Sequence, residues 1–367
     1  MTTKNTLSLT IIIPTFNEVD NIEEIIKRIQ LSLFNINYKI LFIDDNSADG
    51  TANRIKKIQE LDNKIDLIVR FGRRGLASAC IEGILHSKSD LIVVMDCDLQ
   101  HDEKIIPEMY DFFKKHPKLD LVIGSRHIDK GKASTGFSKI RDIGSRVAIK
   151  LTNSLLNINI SDPMSGFFML KRSSILSSVE KLQHSGFKIL ADILALNRGK
   201  LNIKEIGYKF RKRLSGESKM SFKIVIELIA LILSHLSFRL LSVRFILFGI
   251  VGTSGILVQL FSTLILMNIA EFGFLLAHIL SVIIAMTSNF TLNNFITFNE
   301  KSLLGTNYFR GLISFYIVCS VGALLNVAVA DFLFSNLGIW VIASLIGALL
   351  GALWNFMFSS IFTWRIR

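Results

Sequence analysis
Through the first half of the chain, short apolar runs alternate with longer stretches of helical periodicity. Residues 9–13, 40–43, 67–69, 91–95 and 119–123 read as strands, and residues 21–33, 51–61 and 76–86 as helices. Runs that are apolar at every position, rather than at alternate ones, are strands covered on both faces. Separated by helices, they predict an α/β fold with a mostly parallel sheet. The pattern then changes. Four stretches, 245–270, 272–298, 311–334 and 339–364, reach the ~20 apolar residues that a bilayer core requires, which predicts an all-α, four-span membrane part. Between the halves, residues 224–238 are apolar apart from Glu227, Ser234, His235 and Ser237. At about 1.5 Å per residue this run reaches only about 22 Å, short of the ~30 Å hydrocarbon core. It is expected to lie in the membrane interface, with Lys223 and Arg239 at its ends. The resulting division is 1–220, 221–239 and 240–367.

Composition sharpens that division. From Arg239 to the end, six residues are basic and three acidic. Arg239 and Arg244 flank the start of the first span, Lys301 and Arg310 occupy the second connection, and Arg365 and Arg367 close the sequence. The first and third connections carry no Lys or Arg. The positive-inside rule then predicts a multi-pass membrane protein with its N-terminal domain, second connection and C-terminus on the cytosolic side. Of the formal net charge of +12, +9 lies before Arg239. A basic domain tethered beside a bilayer suits anionic headgroups or a phosphorylated substrate. No nucleic-acid-binding motif accompanies the charge, so nucleic acid is not an expected partner. Met1 to Thr6 is polar and lacks an apolar core, so no secretory signal is expected there. Cys80, Cys97 and Cys319 are far apart and form no zinc pattern; they read as packing residues of a reducing compartment.

Candidate chemistry gathers where the strands end. Asp96-Cys97-Asp98-Leu99-Gln100-His101 follows the apolar run at 91–95. Residues two apart on an extended chain share a face, so Asp96 and Asp98 can converge on one cation or hydrated ligand, with Gln100 on the same side if the chain stays extended. Alone, a D-x-D also fits a solvated turn or a helix cap. Hard oxygen donors in a small open set suit Mg²⁺ or Mn²⁺ held jointly with a substrate diphosphate. Pro14-Thr15-Phe16-Asn17-Glu18 follows the first strand, and a polar run from Asp44 to Thr51 follows the second. Polar clusters at the carboxyl ends of parallel strands are where open α/β sheets bind ligands. Asp49-Gly50-Thr51 also reads as a turn and cap. No G-x-G-x-x-G follows a strand and no G-x-x-x-x-G-K-[ST] occurs, which disfavours a dinucleotide fold and a P-loop enzyme.

Six motifs stand in order: Ile13-Pro14-Thr15-Phe16-Asn17-Glu18, Asp44-Asp45-Asn46-Ser47, Asp96 to His101, Gly124-Ser125-Arg126, Asp162-Pro163-Met164-Ser165-Gly166-Phe167 and Gly216-Glu217-Ser218-Lys219. Together they resemble the family 2 glycosyltransferases, and within them the polyprenyl-phosphate (dolichyl-phosphate) hexose synthases, over about residues 8–220. The membrane part resembles the four-helix GtrA-type domain through Arg244-Phe245, Gly249, Gly252, Asn289-Phe290 and Trp354-Asn355-Phe356. Asn289-Phe290 followed by Phe298, and Asn355-Phe356 followed by Phe362, suggest two repeated helical hairpins.

The resemblance implies a GT-A-type sheet and a set of residue roles. Pro14, Phe16, Glu18, Ile43 and Asp45 match nucleotide-contact positions, with Phe16 where Tyr is usual. Asp96, Asp98 and Gln100 match the metal–diphosphate positions, and Cys97 replaces the customary Ala, a thiol that invites oxidation so near the ligand. Arg126, Arg141 and Ser145 match the positions that hold the lipid phosphate; Arg213 and Lys219 match those that meet the donor diphosphate. The implied reaction moves a hexose to a membrane polyprenyl phosphate with inversion, using Mg²⁺ or Mn²⁺. GDP-mannose is favoured as donor over UDP-glucose. Hydroxyl-directed relatives carry a general base in the stretch that holds Asp192; a phosphate acceptor needs none, so Asp192 reads as structural. The Q-x-x-R-W element of processive synthases is absent. From a different class, a lipid-linked-sugar carrier or flippase with an accessory soluble domain is the alternative.

Overall fold
Leu9–Thr15 (β1), Tyr38–Asp44 (β2), Ile65–Val69 (β3), Leu91–Val94 (β4), Leu121–Ser125 (β5), Phe168–Lys171 (β6) and Ile203–Gly207 (β7) form one sheet in the order β3-β2-β1-β4-β6-β5-β7. The computed structural model describes residues 7–72, 75–128, 149–150, 152–154, 158–182, 189–197, 199–211, 222–237, 240–337 and 340–364. They fall in two units, Met1–His235 and Leu236–Arg367. Every residue of β1, β4 and β5 is buried, which accounts for apolar runs in place of alternation. β6 is antiparallel to both neighbours, β4 and β5, while the other pairings are parallel. Neither β6 nor β7 is among the strands expected from the pattern. β6 has four residues, and β7, at the sheet edge, carries Lys204 and Glu205 in its centre.

Helices Ile22–Ser32 (α1), Thr51–Gln59 (α2), Leu76–His86 (α3), Ile106–Lys115 (α4), Arg172–Val179 (α5) and Ile189–Leu196 (α6) surround the sheet. Ile22, Ile25 and Ile29 of α1 and Met109 and Phe113 of α4 pack with Ile11, Ile13, Phe42 and Val93 on one face. On the other, α3, α5 and α6 cover Ile12, Ile43, Ile92 and Phe168. α3 approaches β1 so closely that a Cβ on Gly83 would lie 2.7 Å from Ile12 Cγ2. A helix also forms at the stretch read as interfacial, Phe222–Leu236 (α7). It is tied to α6 by a buried bond, His235 Nε2 to Asp192 Oδ1 at 2.8 Å.

The second unit is helical: Val243–Asn268 (α8), Phe274–Phe295 (α9), Thr306–Leu337 (α10) and Trp340–Phe358 (α11), one helix for each expected span. Among the described residues, Val243–Asn268 and Thr306–Asn326 are long and apolar enough on their own to cross a membrane. Ile256, Leu257, Leu260, Phe261 and Leu264 line α8 as exposed apolar side chains, the mark of a helix that is not a soluble core. Asn289 of α9 lies against Gly255 of α8, and Asn355 of α11 lies against Gly322 of α10; a Cβ at either glycine would overlap the amide. The two hairpins thus repeat, with small residues admitting close approach. One detail of the expected repeat is corrected. Phe362 is 63% exposed, whereas Trp364, nine residues after Asn355 as Phe298 is after Asn289, is buried and stacks on Phe298 with centroids 4.2 Å apart.

Candidate active site
Parallel β1, β2 and β4 end on the same edge of the sheet, and their loops carry the first half of the motifs. Asp44, buried at the end of β2, accepts from Thr15 Oγ1 (3.0 Å), Ser47 Oγ (2.6 Å) and Ser47 N (2.8 Å). Asn17 and Asn46 take positive φ, 57° and 54°, a conformation that Asn tolerates. Asn17 N donates to Ser47 Oγ and Ala48 N to Asn17 Oδ1, which locks the two loops together. Among the expected nucleotide contacts, Pro14 is buried in β1 and Phe16 is 43% exposed. The Glu18 carboxylate accepts from Asn21 Nδ2 at 2.6 Å. Ile43 has its side chain wholly inside the core.

Asp45 is engaged inside the protein. Its carboxylate accepts from Arg70 Nε (2.7 Å) and Nη2, and from Gly75 N (2.8 Å), while Arg70 is fully buried and also donates to Ser78 Oγ. Asp45 therefore fixes the start of α3, a role the sequence reading did not include. No motif signalled Arg70.

The acidic loop departs from the expected geometry. β4 stops at Val94, and the chain bends instead of staying extended, with Leu99 at φ 63°. Gln100 N donates to Asp98 Oδ1 at 3.1 Å, an Asx-type turn that curls the loop. Strand alternation consequently does not place Gln100. Its Nε2 donates to Arg211 O (3.1 Å), and Arg211 N donates back to Gln100 O (2.9 Å). Arg211 also donates to Glu103 Oε2 (2.6 Å) and Asp102 Oδ1 (2.7 Å), so this loop is strapped to the chain leaving β7. Asp98 is buried and the Asp96 side chain is 37% exposed. Cys97 is buried; burial, and then the charges of Glu18, Asp98 and Asp96, push its thiol well above the ordinary value. A protonated, inaccessible thiol does not invite oxidation, which corrects that expectation.

Antiparallel β6 brings the fifth motif to this loop. Its first residue, Phe168, pairs with Val94, the last of β4, so the preceding Asp162-to-Phe167 turn meets the acids. A Cβ at Gly166 would sit 3.0 Å from Asp96 Oδ2. Asp162 is fully buried and takes Arg126 in a two-pronged pair, Nε to Oδ2 at 2.7 Å and Nη2 to Oδ1 at 2.8 Å. Burial works to raise the Asp162 carboxyl, but Arg126 outweighs it and holds the group below the usual carboxylate range. Phe210 lies under the Arg126 guanidinium, 5.6 Å from its ring centroid. Arg126 thus has its plane set by Asp162 and Phe210. Arg141, Ser145, Arg213 and Lys219 lie outside the described residues.

Asp96, Asp98 and Gln100 offer hard oxygen donors, and among the described residues no three His, Cys, Asp or Glu groups converge on one point. Oxygen donors of this chemistry suit a hard divalent cation; Asp96 Oδ2 and Asp98 Oδ1 are engaged by His101 Nε2 and Gln100 N.

Comparison with known proteins agrees with the layout. The family 2 glycosyl transferase model matches residues 10–177, and the GtrA/DPMS transmembrane domain matches residues 247–364. A dolichol-phosphate mannosyltransferase of Pyrococcus furiosus is 35% identical over 364 residues, covering 98% of this chain and 99% of its own. That of Saccharomyces cerevisiae is 29% identical over 229 residues, 60% of this chain and 84% of its own. Among solved structures, glucosyl-3-phosphoglycerate synthase from Mycobacterium tuberculosis, crystallised with Mn²⁺, UDP-glucose and phosphoglyceric acid, shares the fold with a TM-score of 0.50 at 16% identity, over 63% of this chain and 80% of that one. The chain belongs to the family 2 glycosyltransferases of the dolichol-phosphate mannosyltransferase type, with a GtrA-like transmembrane domain joined to the transferase fold.

Proposed function
We propose that this protein transfers a hexose, mannose from GDP-mannose, to the phosphate of a membrane polyprenyl phosphate, inverting the anomeric carbon. The observation that carries the reading is the end-to-end likeness to the Pyrococcus dolichol-phosphate mannosyltransferase, which spans both domains. Asp96, Asp98 and Gln100 would hold Mg²⁺ or Mn²⁺, which when bound neutralises charge on the departing diphosphate. Arg213 and Lys219 would add positive charge at the same group. Arg126, its plane fixed by Asp162, would orient the acceptor phosphate with Arg141 and Ser145.

A general base is not required. The second pKa of a phosphate monoester is about 6, so the acceptor is largely dianionic at neutral pH and attacks without losing a proton. Asp192 supports this view, because it is buried and bonded to His235. The acceptor's chain stays in the bilayer, and a multi-pass domain on the same polypeptide keeps the catalytic unit beside it, on the cytosolic face.

Donor competition tests the reading. Full-length protein in membranes with polyprenyl phosphate and Mg²⁺ or Mn²⁺ should transfer sugar from GDP-mannose, and Asp98→Ala should abolish transfer while leaving the unfolding midpoint near that of the wild type. Transfer from UDP-glucose alone would overturn the mannosyl assignment, and full activity of Asp98→Ala would overturn the metal site.

A further inference from the structure
His101 has no role in the nucleotide, cation or acceptor sets above, yet both of its ring nitrogens are engaged and it is only 3% exposed. Nε2 lies 3.2 Å from Asp96 Oδ2, and Nδ1 lies 2.7 Å from Tyr208 Oη. Phe167 and Phe210 pack against the ring, with centroids 5.1 and 5.7 Å away. A carboxylate only accepts hydrogen bonds, so the Asp96 contact puts the hydrogen on Nε2; in the neutral ring Nδ1 then accepts from the Tyr208 hydroxyl. The bonds run in one direction, from Tyr208 through His101 to Asp96.

Gly166 lies close to the same oxygen of Asp96. A Cβ there would lie 3.0 Å from Asp96 Oδ2 and 3.5 Å from His101 Nε2. The oxygen that meets His101 Nε2 is therefore also the one that lies against Gly166, which leaves no room for a side chain at that position. Asp96 is the more exposed of the two loop acids, and a carboxylate on two rotatable bonds would otherwise lose rotamer freedom on meeting a ligand.

We propose that His101 is a positioning residue: with Tyr208 behind it, it holds one oxygen of Asp96 so that the carboxylate meets the donor's nucleoside diphosphate, or the cation bound with it, in a single orientation. The proposal rests on the nucleotide-sugar reading above. Groups that orient ligating carboxylates are typically worth about ten- to hundredfold in affinity.

Calorimetric titration of full-length, detergent-solubilised protein with GDP and Mn²⁺, alongside thermal unfolding, provides the test. His101→Ala should weaken nucleotide binding by about ten- to hundredfold. His101→Gln, which restores an N–H donor near the Nε2 position, should recover most of it. Tyr208→Phe, which removes only the hydroxyl, should fall between, and Gly166→Ala, whose added methyl would crowd the held Asp96 oxygen, should also weaken binding. Wild-type affinity in Tyr208→Phe and Gly166→Ala, or equal losses in His101→Ala and His101→Gln, would overturn the positioning role and assign His101 to packing. A wild-type protein that binds neither GDP nor UDP would overturn the nucleotide-sugar reading itself, and this proposal with it.

Discussion
Asp162 and Arg126 form a two-pronged pair at the site, and removing one partner exposes how much the other depends on it. Asp162→Ala leaves a largely buried guanidinium without its counter-charge, and the expected loss is about 3–5 kcal/mol of unfolding free energy in denaturant titration. The pair also sets a pH dependence. The Asp162 carboxyl lies below its unfolded value of about 3.9, so its contribution is complete above that pH and is lost as pH falls toward the folded value. Wild-type stability should decline below about pH 4, and Asp162→Asn should flatten part of that decline; an unchanged acid limb would show that the pair contributes nothing there. Cys97 gives a second residue-level outcome. Its buried, raised thiol should resist iodoacetamide in the native protein and react in denaturant, and native alkylation at a free-thiol rate would contradict the assignment.

Single residues also mark where sequence reading runs out. The motifs located Asp96, Asp98, Gln100 and Arg126, because each follows an apolar run that announces a strand end. The pairings carry no such signal: Asp162 stands in a motif of its own but 36 residues from Arg126, Tyr208 is 107 from His101, and Arg70, the partner of Asp45, sits alone after β3. Motif spacing records positions along the chain, and these pairs are made by the fold.

At the level of elements, apolar runs were legible in β1 to β5, the edge strand β3 included, and illegible in β6, whose four residues are too few for a pattern, and in β7, whose centre is charged. β6 matters most, since its reversed direction delivers Asp162 and Gly166 to the carboxyl end of β4. The curled acidic loop was hidden for a different reason: an Asx-type bond and a left-handed Leu99 end the extended geometry that period-two reasoning assumes. α6 and α7 offer the decisive element-scale test of the acceptor chemistry. If Asp192 serves only to hold α7 through His235, Asp192→Asn, which keeps an oxygen acceptor, should retain turnover within about tenfold. Loss of about a thousandfold at unchanged substrate affinity would make Asp192 a base and point to a hydroxyl acceptor.

For the whole molecule, the sequence pattern changes near residue 239, and the chain divides into two units, Met1–His235 and Leu236–Arg367. The paired hairpins were legible from Asn289-Phe290 and Asn355-Phe356, but the partner of Phe298 was not, because Trp364 differs from it in residue type. A four-span topology with cytosolic termini makes a direct statement about the connections. In a background without Cys80, Cys97 and Cys319, Ala270→Cys should react with an impermeant maleimide added outside intact cells, and Asn299→Cys should not. The reverse pattern would invert the topology.

The central claim is that sugar leaves a nucleoside diphosphate for a lipid phosphate. Membranes holding the wild-type protein, polyprenyl phosphate and sugar-labelled GDP-mannose should yield one lipid-extractable, acid-labile mannosyl phosphate for each GDP released. Label recovered as free mannose, or as a glycoside stable to mild acid, would contradict it.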